Sequence, residues 1–315
     1  MDESKEAKIV YSLGNNRIWC GKKCITGLKF YFMIIAFLSY SIPFIAILVI
    51  IFITKKSSSF IFTKVFLCFL YFLEIYSTFR AGCSDPGILP KQYDNYIRKK
   101  PERKSIIRGH LITLKYCLTC DIFRPPRSSH CSKCDNCVQK FDHHCDWVGN
   151  CIGIRNYKFF YLLLLSLIID DIYQVGFCLF ILCNYIKKKD DSHYLLIIIS
   201  ISAIILYDIL FLTLFLGKLF FPHTYYCFNN LTYYENYKGK FKKVPGFNLY
   251  KSNFWYNFCQ VFCKLERKTI FFDEPFNTNE PEKTNDVIIN IQAFNTKQNA
   301  VSSNTLILQK KNTNI

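Results

Sequence analysis

The chain has 315 residues with 40 Lys and Arg against 23 Asp and Glu, a formal net charge of +17, and 51% of its residues are apolar. That length suits one large or two ordinary soluble domains, but the apolar residues are gathered into four long runs, which argues against a soluble globule. The basic excess beside such runs points to an anionic lipid leaflet or a phosphorylated small molecule before nucleic acid.

Residues 1–29 are polar and charged, and the apolar run after them is too long for a signal-peptide core, so no cleavable signal peptide is expected. Runs at 30–53, 60–79, 159–186 and 194–217 are each predicted to be transmembrane helices, since about 20 residues of helix cross a hydrocarbon core. The first run carries no charge, the second only Lys64 and Glu74, the third only Asp170 and Asp171, and the fourth only Asp208. Between the second and third runs lies an insert, 80–158. It begins with a turn signal, "DPG" at Asp85–Gly87, and continues through a basic loop to a core at 111–151. That core offers too few aliphatic residues for an unstapled domain of about 40 residues. Residues 222–273 are aromatic and basic and are expected against the membrane surface or the insert, while 274–315 reads as a disordered polar tail. Lys and Arg number 15 in 80–158 and 6 in 1–29, against 2 and 3 in the short loops 54–59 and 187–193. The positive-inside rule therefore puts both termini and the insert in the cytosol. The predicted fold class is an α-helical integral membrane protein with four transmembrane helices and a cytosolic cysteine-rich insert between helices two and three.

Sixteen cysteines would suggest disulfides in a secreted chain. Here the dense cluster sits in a cytosolic, reducing loop, which favours metal binding or catalysis. The core holds Cys117, Cys120, His130, Cys131, Cys134, Cys137, His143, His144, Cys145 and Cys151. Two closed tetrahedral zinc sites consume eight of these ten. Cys117 with Cys120 and Cys131 with Cys134 form C-x2-C knuckles, each needing two further ligands. Spacing leaves open whether His143 or His144, and whether Cys145 or Cys151, completes a site.

The stretches "CLTC", "RPPRSSHCSKCDNCV" and "FDHHCDWVGNCIGIRNYKFF", with the upstream "DPG", resemble the cysteine-rich domain of the DHHC protein S-acyltransferases, or palmitoyltransferases. The resemblance assigns Cys117, Cys120, His130 and Cys137 to one structural zinc, and Cys131, Cys134, His144 and Cys151 to the other. His143 and Cys145 are left over. It implies that Cys145 takes an acyl group from acyl-CoA such as palmitoyl-CoA and passes it to a cysteine of a membrane-associated protein. His143 would be the base that takes the thiol proton, and Asp142 would orient its ring. Arg124 and Arg127 are candidates to meet the CoA phosphates. "TYYE" at Thr232–Glu235 resembles the family's TTxE signature, with Tyr233 where a second threonine would offer its hydroxyl to the aspartate. "NFCQVFC" resembles the family's C-terminal aromatic and asparagine motif, with Cys263 where glycine is usual and Asn257 expected to make structural hydrogen bonds. Cys20 and Cys24, close to the first span, are candidates for acylation themselves.

Asp170 and Asp171 fall inside the third predicted span, where acids are costly and face the bundle interior. Asp170 lies about 16 Å of helix beyond Phe159, a depth at which a carboxyl could limit acyl-chain length. An endomembrane such as the Golgi is the expected location. The competing readings are a catalytically silent zinc-stapled membrane scaffold and a transporter using the intramembrane acids. Nucleic-acid binding fits poorly with a loop held between two spans.

Overall fold

In the computed structural model, the described residues are 14–20, 24–53, 60–91, 102–185, 194–239 and 248–263. The expected disordered tail at 274–315 lies outside them. Four helices are long and apolar enough to cross a membrane. Helix α1 is Phe32–Ile53, α2 is Ile61–Cys83 and α3 is Tyr157–Tyr185. The fourth span is composite: α4 (Tyr194–Phe211), a π-helical turn (Leu212–Leu216) and α5 (Gly217–Phe228) follow one another without a break.

That fourth span is 35 residues long and continues 11 residues past the boundary expected at 217. Gly217 and Pro222 read as helix breakers in sequence. The helix runs through both: Gly217 keeps right-handed helical angles and donates to Leu212 O across the wide turn, and Pro222 lies inside α5. At 1.5 Å per residue the span measures about 52 Å, well over a hydrocarbon thickness of about 30 Å. Its last turns therefore reach the insert.

The interior of the bundle is layered. One apolar cluster joins Tyr40 of α1, Ala81 of α2, Phe159, Phe160, Leu163, Leu164, Leu167 and Ile168 of α3, and Leu216. A second lies deeper and joins Phe44, Ile47, Ile50 and Ile51 of α1, Leu67 of α2, Cys178 and Ile181 of α3, and Ile197, Ile201 and Ile204 of α4. Between them, by position along the helices, fall the buried polar residues Glu74, Ser77, Asp170, Asp171, Gln174 and Asp208.

Short strands make up the insert and its neighbours. Hairpins pair β1 (Arg17–Trp19) with β2 (Cys24–Thr26), β4 (Lys104–Ile107) with β5 (His110–Thr113), β6 (Tyr116–Cys117) with β7 (Ile122–Phe123), and β10 (His143–Cys145) with β11 (Asn150–Ile152). A three-stranded sheet runs in the order β3 (Ile88–Leu89), β9 (Asn136–Val138), β8 (Ser129–Cys131). The insert is bolted to the bundle by buried amides. Asn150 Nδ2 donates to Ile25 O at 2.8 Å and to Gly82 O at 2.9 Å, Asn156 Nδ2 donates to Ala81 O at 2.9 Å, and Arg155 pairs with Asp85. Gly82 permits this approach, because a Cβ there would lie 2.7 Å from Val148 O. Two short helices complete the chain, α6 (Tyr233–Tyr237) and α7 (Phe254–Phe262). Asn257 of α7 donates to Phe228 O at 2.7 Å and Ser252 O at 2.9 Å.

Candidate active site

Alternation along two strands sorts the adjacent Cys and His residues. Successive side chains of a strand point to opposite faces. On β8, His130 goes to one cluster and Cys131 to another. On β10, His144 goes to a cluster, and its neighbours His143 and Cys145 share the other face. Each clustered histidine faces a cysteine across its hairpin, His130 opposite Cys137 and His144 opposite Cys151.

The first cluster brings together Cys117, Cys120, His130 and Cys137, and the second Cys131, Cys134, His144 and Cys151. In both, all four ligand atoms lie within 4.8 Å of one another. His130 Nδ1 is 3.6, 3.4 and 3.9 Å from the sulfurs of Cys117, Cys120 and Cys137. His144 Nδ1 is 3.8, 3.3 and 3.6 Å from those of Cys131, Cys134 and Cys151. Tetrahedral coordination at Zn–S of about 2.3 Å and Zn–N of about 2.0–2.1 Å requires N···S edges of about 3.5 Å, so both donor sets fit a metal ion of that size. The outer ring nitrogens face carboxylates: His130 Nε2 is 3.7 Å from Asp135 Oδ1, and His144 Nε2 is 3.5 Å from Asp146 Oδ1. Such partners fix ring orientation. Sequence reasoning passed over Asp135 and Asp146, although each sits within two residues of a ligand.

Cys145 joins neither cluster. Its side chain is buried in the upper apolar cluster against α1, α2 and α3. His143 is its neighbour on the strand face, with its ring 5.1 Å from that of Phe160 and 5.6 Å from that of His223. Asp142 is 1% exposed. Its Oδ2 accepts from His143 Nδ1 at 2.7 Å, and its Oδ1 accepts from the backbone N–H of Tyr233 at 2.8 Å. Burial alone would raise the Asp142 carboxyl. The hydrogen bond and charge of His143, with the Tyr233 N–H behind them, hold it below the usual carboxylate range. Burial would likewise lower His143, but its bonds to Asp142 and Cys145 push it up to about 10 from an ordinary 6.5. The arrangement favours an imidazolium hydrogen-bonded to both Asp142 and the Cys145 sulfur.

The contact to Asp142 does not need the threonine hydroxyl that Tyr233 replaces. Thr232 caps α6 through a capping box, accepting from Glu235 N at 3.1 Å while Glu235 Oε2 accepts from Thr232 N at 3.0 Å. Tyr233 is the first helical residue, so its N–H is unspent within the helix and points at Asp142. Glu235 is gripped in turn by Arg127, Nε to Oε1 at 2.8 Å and Nη2 to Oε2 at 2.7 Å. Arg127 also donates to Asn230 Oδ1 and O, both at 2.9 Å, and lies 4.3 Å over the Tyr250 ring. The guanidinium expected at a CoA phosphate is thus engaged within the fold. Arg124 differs, its Nε being buried without a hydrogen-bond partner among the described residues.

His223 was also missed. It projects from α5, 3% exposed, with Nδ1 4.0 Å from Asp142 Oδ2 and 3.3 Å from the Tyr157 hydroxyl. Nothing local in "FPHTYY" signals this.

The DHHC palmitoyltransferase family profile matches residues 110–240. Palmitoyltransferase ZDHHC14 of Danio rerio is 37% identical over 228 residues, covering 58% of this chain and 44% of the relative. The Homo sapiens ZDHHC14 is 36% identical over 219 residues, covering 62% and 44%. Palmitoyltransferase ZDHHC9 of Danio rerio is 34% identical over 273 residues, covering 77% of this chain and 70% of the relative. The chain spans about half the length of the first two of these relatives. With the profile falling on the strands that carry both Cys/His clusters and the unclustered Cys145, and with a relative matched over most of its length, the chain belongs to the DHHC palmitoyltransferase family.

Proposed function

We propose that this chain is a multi-pass membrane protein S-acyltransferase in which Cys145 carries the acyl group. The carrying observation is that, among the seven cysteines of the insert's core at 111–151, Cys145 alone stays outside both donor clusters while sharing a strand face with His143.

The Cys145 thiolate attacks the thioester carbonyl of acyl-CoA, and the departing CoA thiolate takes the proton from His143. In the second step the thiol of a membrane-associated protein gives its proton to His143 and attacks the Cys145 thioester, so that Cys145 leaves again as the thiolate. Asp142 holds the His143 Nδ1–H and balances the ring's charge. Placing Cys145 in the apolar cluster at the head of the bundle lets the acyl chain remain in hydrocarbon, where each methylene is worth about 0.8 kcal/mol. For the CoA phosphates Arg124 is the first candidate, its Nε lacking a hydrogen-bond partner among the described residues, and Arg127 the second, since its guanidinium already holds Glu235.

Cys117, Cys120, His130 and Cys137 hold one zinc ion, and Cys131, Cys134, His144 and Cys151 the other. Zinc closed off by four protein ligands supplies folding energy and fixes loops. The insert at 80–158 and both termini face the cytosol, and the membrane is an endomembrane such as the Golgi. Residues 222–273 form the cytosolic C-terminal region whose capped helix steadies Asp142.

The test is incubation of the purified chain with labelled palmitoyl-CoA. Wild type should acquire a hydroxylamine-sensitive label that Cys145→Ala lacks. Equal labelling of both proteins would remove Cys145 from the reaction, and a silent wild type would favour a scaffold.

A further inference from the structure

Among the described residues one more set of metal-type donors converges, and it contains no sulfur: Asp142, His143 and His223, whose ligand atoms all lie within 4.8 Å of one another. Asp142 Oδ2 lies 2.7 Å from His143 Nδ1 and 4.0 Å from His223 Nδ1. A tetrahedral ion bound at about 2.0–2.2 Å to each donor has donor–donor edges of about 3.3 Å. That falls between the two observed edges, so closing the site takes ring movements of about 1 Å. The Tyr157 hydroxyl, 3.3 Å from His223 Nδ1, supplies a further oxygen at the rim. Asp142 and His223 are 1% and 3% exposed while the His143 side chain is 20% exposed, so two donors are held away from bulk water and the third gives the entry side.

We propose that Asp142, His143 and His223 form a third, reversible site for a divalent transition-metal ion, with Zn2+ as its natural occupant, and that an ion there silences Cys145. Two imidazoles and one carboxylate suit Zn2+, Co2+ or Ni2+. Without thiolates, the site holds its ion less tightly than the two Cys/His centres hold theirs. The inhibition follows from tautomer chemistry. The ion takes the Nδ1 lone pair of His143, the Nδ1 proton goes to solvent, and the neutral ring keeps its remaining proton on Nε2. Nε2 then cannot receive a proton from a thiol, and the Asp142–His143 hydrogen bond is gone. This consequence rests on the acyltransferase reading above, whereas the binding site itself does not.

The experiment starts from purified full-length protein containing two tightly held ions and reads binding first in Cys145→Ser, which cannot be acylated. Titration with Co2+ should show a third equivalent with visible cobalt bands and no new thiolate-to-metal charge transfer. That equivalent should vanish in His223→Phe and in His223→Gln, each checked to retain its two tight ions and its helical circular dichroism. In the wild type, saturating Zn2+ should slow Cys145 labelling by about 100-fold, the scale of losing a general base, and a mild chelator that leaves two ions bound should restore it. No third equivalent in Cys145→Ser would overturn the site, as would a third equivalent that survives both His223 substitutions. Binding seen only when Cys145 is present, with thiolate bands, would move the ion to the sulfur and equally refute the assignment. A chain that binds the third ion but never labels would instead sink the acyltransferase reading and leave the site standing.

Discussion

Substituting proline at Tyr233 isolates a single hydrogen bond. Tyr233 is the first residue of α6, a position where proline is favoured because its missing N–H has no helical acceptor and its φ is already suitable. Thr232 before it is extended, with φ −112° and ψ 155°, which is the conformation a residue preceding proline prefers. The capping box uses the N–H groups of Thr232 and Glu235, so it survives. What disappears is the 2.8 Å bond from Tyr233 N to Asp142 Oδ1. A hydrogen bond to a buried charged group contributes about 1.5–3 kcal/mol, which at 1.36 kcal/mol per decade predicts a loss of about 10- to 160-fold in the rate of Cys145 loading. Tyr233→Ala keeps the N–H and removes the ring, so the ratio between the two variants reports the bond. Single-turnover loading from labelled palmitoyl-CoA, with metal content confirming an intact insert, measures it. Equal rates for Tyr233→Pro and Tyr233→Ala would show that the Asp142 contact carries no catalytic weight.

Arg127→Ala and Glu235→Gln should both lower the plateau loading rate with little change in half-saturating acyl-CoA, because the pair positions α6. A raised half-saturation in Arg127→Ala alone would return Arg127 to the CoA phosphates. Cys134→Ser should lose one of two bound ions and unfold at lower temperature, whereas Cys145→Ser should keep both ions, as read by metal analysis and thermal melting. His143 is raised from 6.5 to about 10, so the stability it contributes is fully present below pH 6.5 and is lost as pH rises through about 10. The melting-temperature gap between wild type and His143→Gln should therefore narrow from neutral pH to above pH 10, and a gap that widens would contradict the ion pairing.

The apolar runs and the cysteine spacings were legible because each is a local pattern. Four long apolar runs with at most two charges each read as spans, and C-x2-C knuckles announce their metal chemistry. The partition at residues 143–145 was not legible from spacing, since β10 alternates a side chain of a Cys/His cluster with ones that stay outside it, rather than apolar with polar, and the hydrophobic period that reveals a strand is absent. The clamp on Asp142 hides for a different reason. Arg127 and Glu235 stand 108 positions apart, and the group that reaches Asp142 is a backbone N–H, which every residue but proline possesses. His223 stayed hidden because the fourth helix was expected to end at 217. A helix that continues through Gly217 and Pro222 brings that ring down onto Asp142.

The buried acids of the spans set a final expectation. The upper apolar cluster that houses Cys145 follows α3 from Phe159 to Ile168, and the next buried positions on that helix are Asp170, Asp171 and Gln174. Glu74 and Asp208 arrive from α2 and α4, each with both carboxyl oxygens buried and lacking hydrogen-bond partners among the described residues. An acyl chain that starts at Cys145 and follows the apolar stripe therefore has about 16 Å of hydrocarbon-like path, comparable to C14 or C16, before its methyl end meets carboxyl groups. Two more methylenes would forfeit about 0.8 kcal/mol each if they met that layer instead of apolar surface, a discrimination of about 15-fold between C16 and C18. Asp170→Ala and Asp171→Ala replace a carboxyl by a methyl at the end of the path, so loading with C18 acyl-CoA should gain on C16 in at least one of them. If the C14, C16 and C18 rates keep their wild-type ratios in both variants, the chain does not run down α3 and the polar layer serves the packing of the four spans alone.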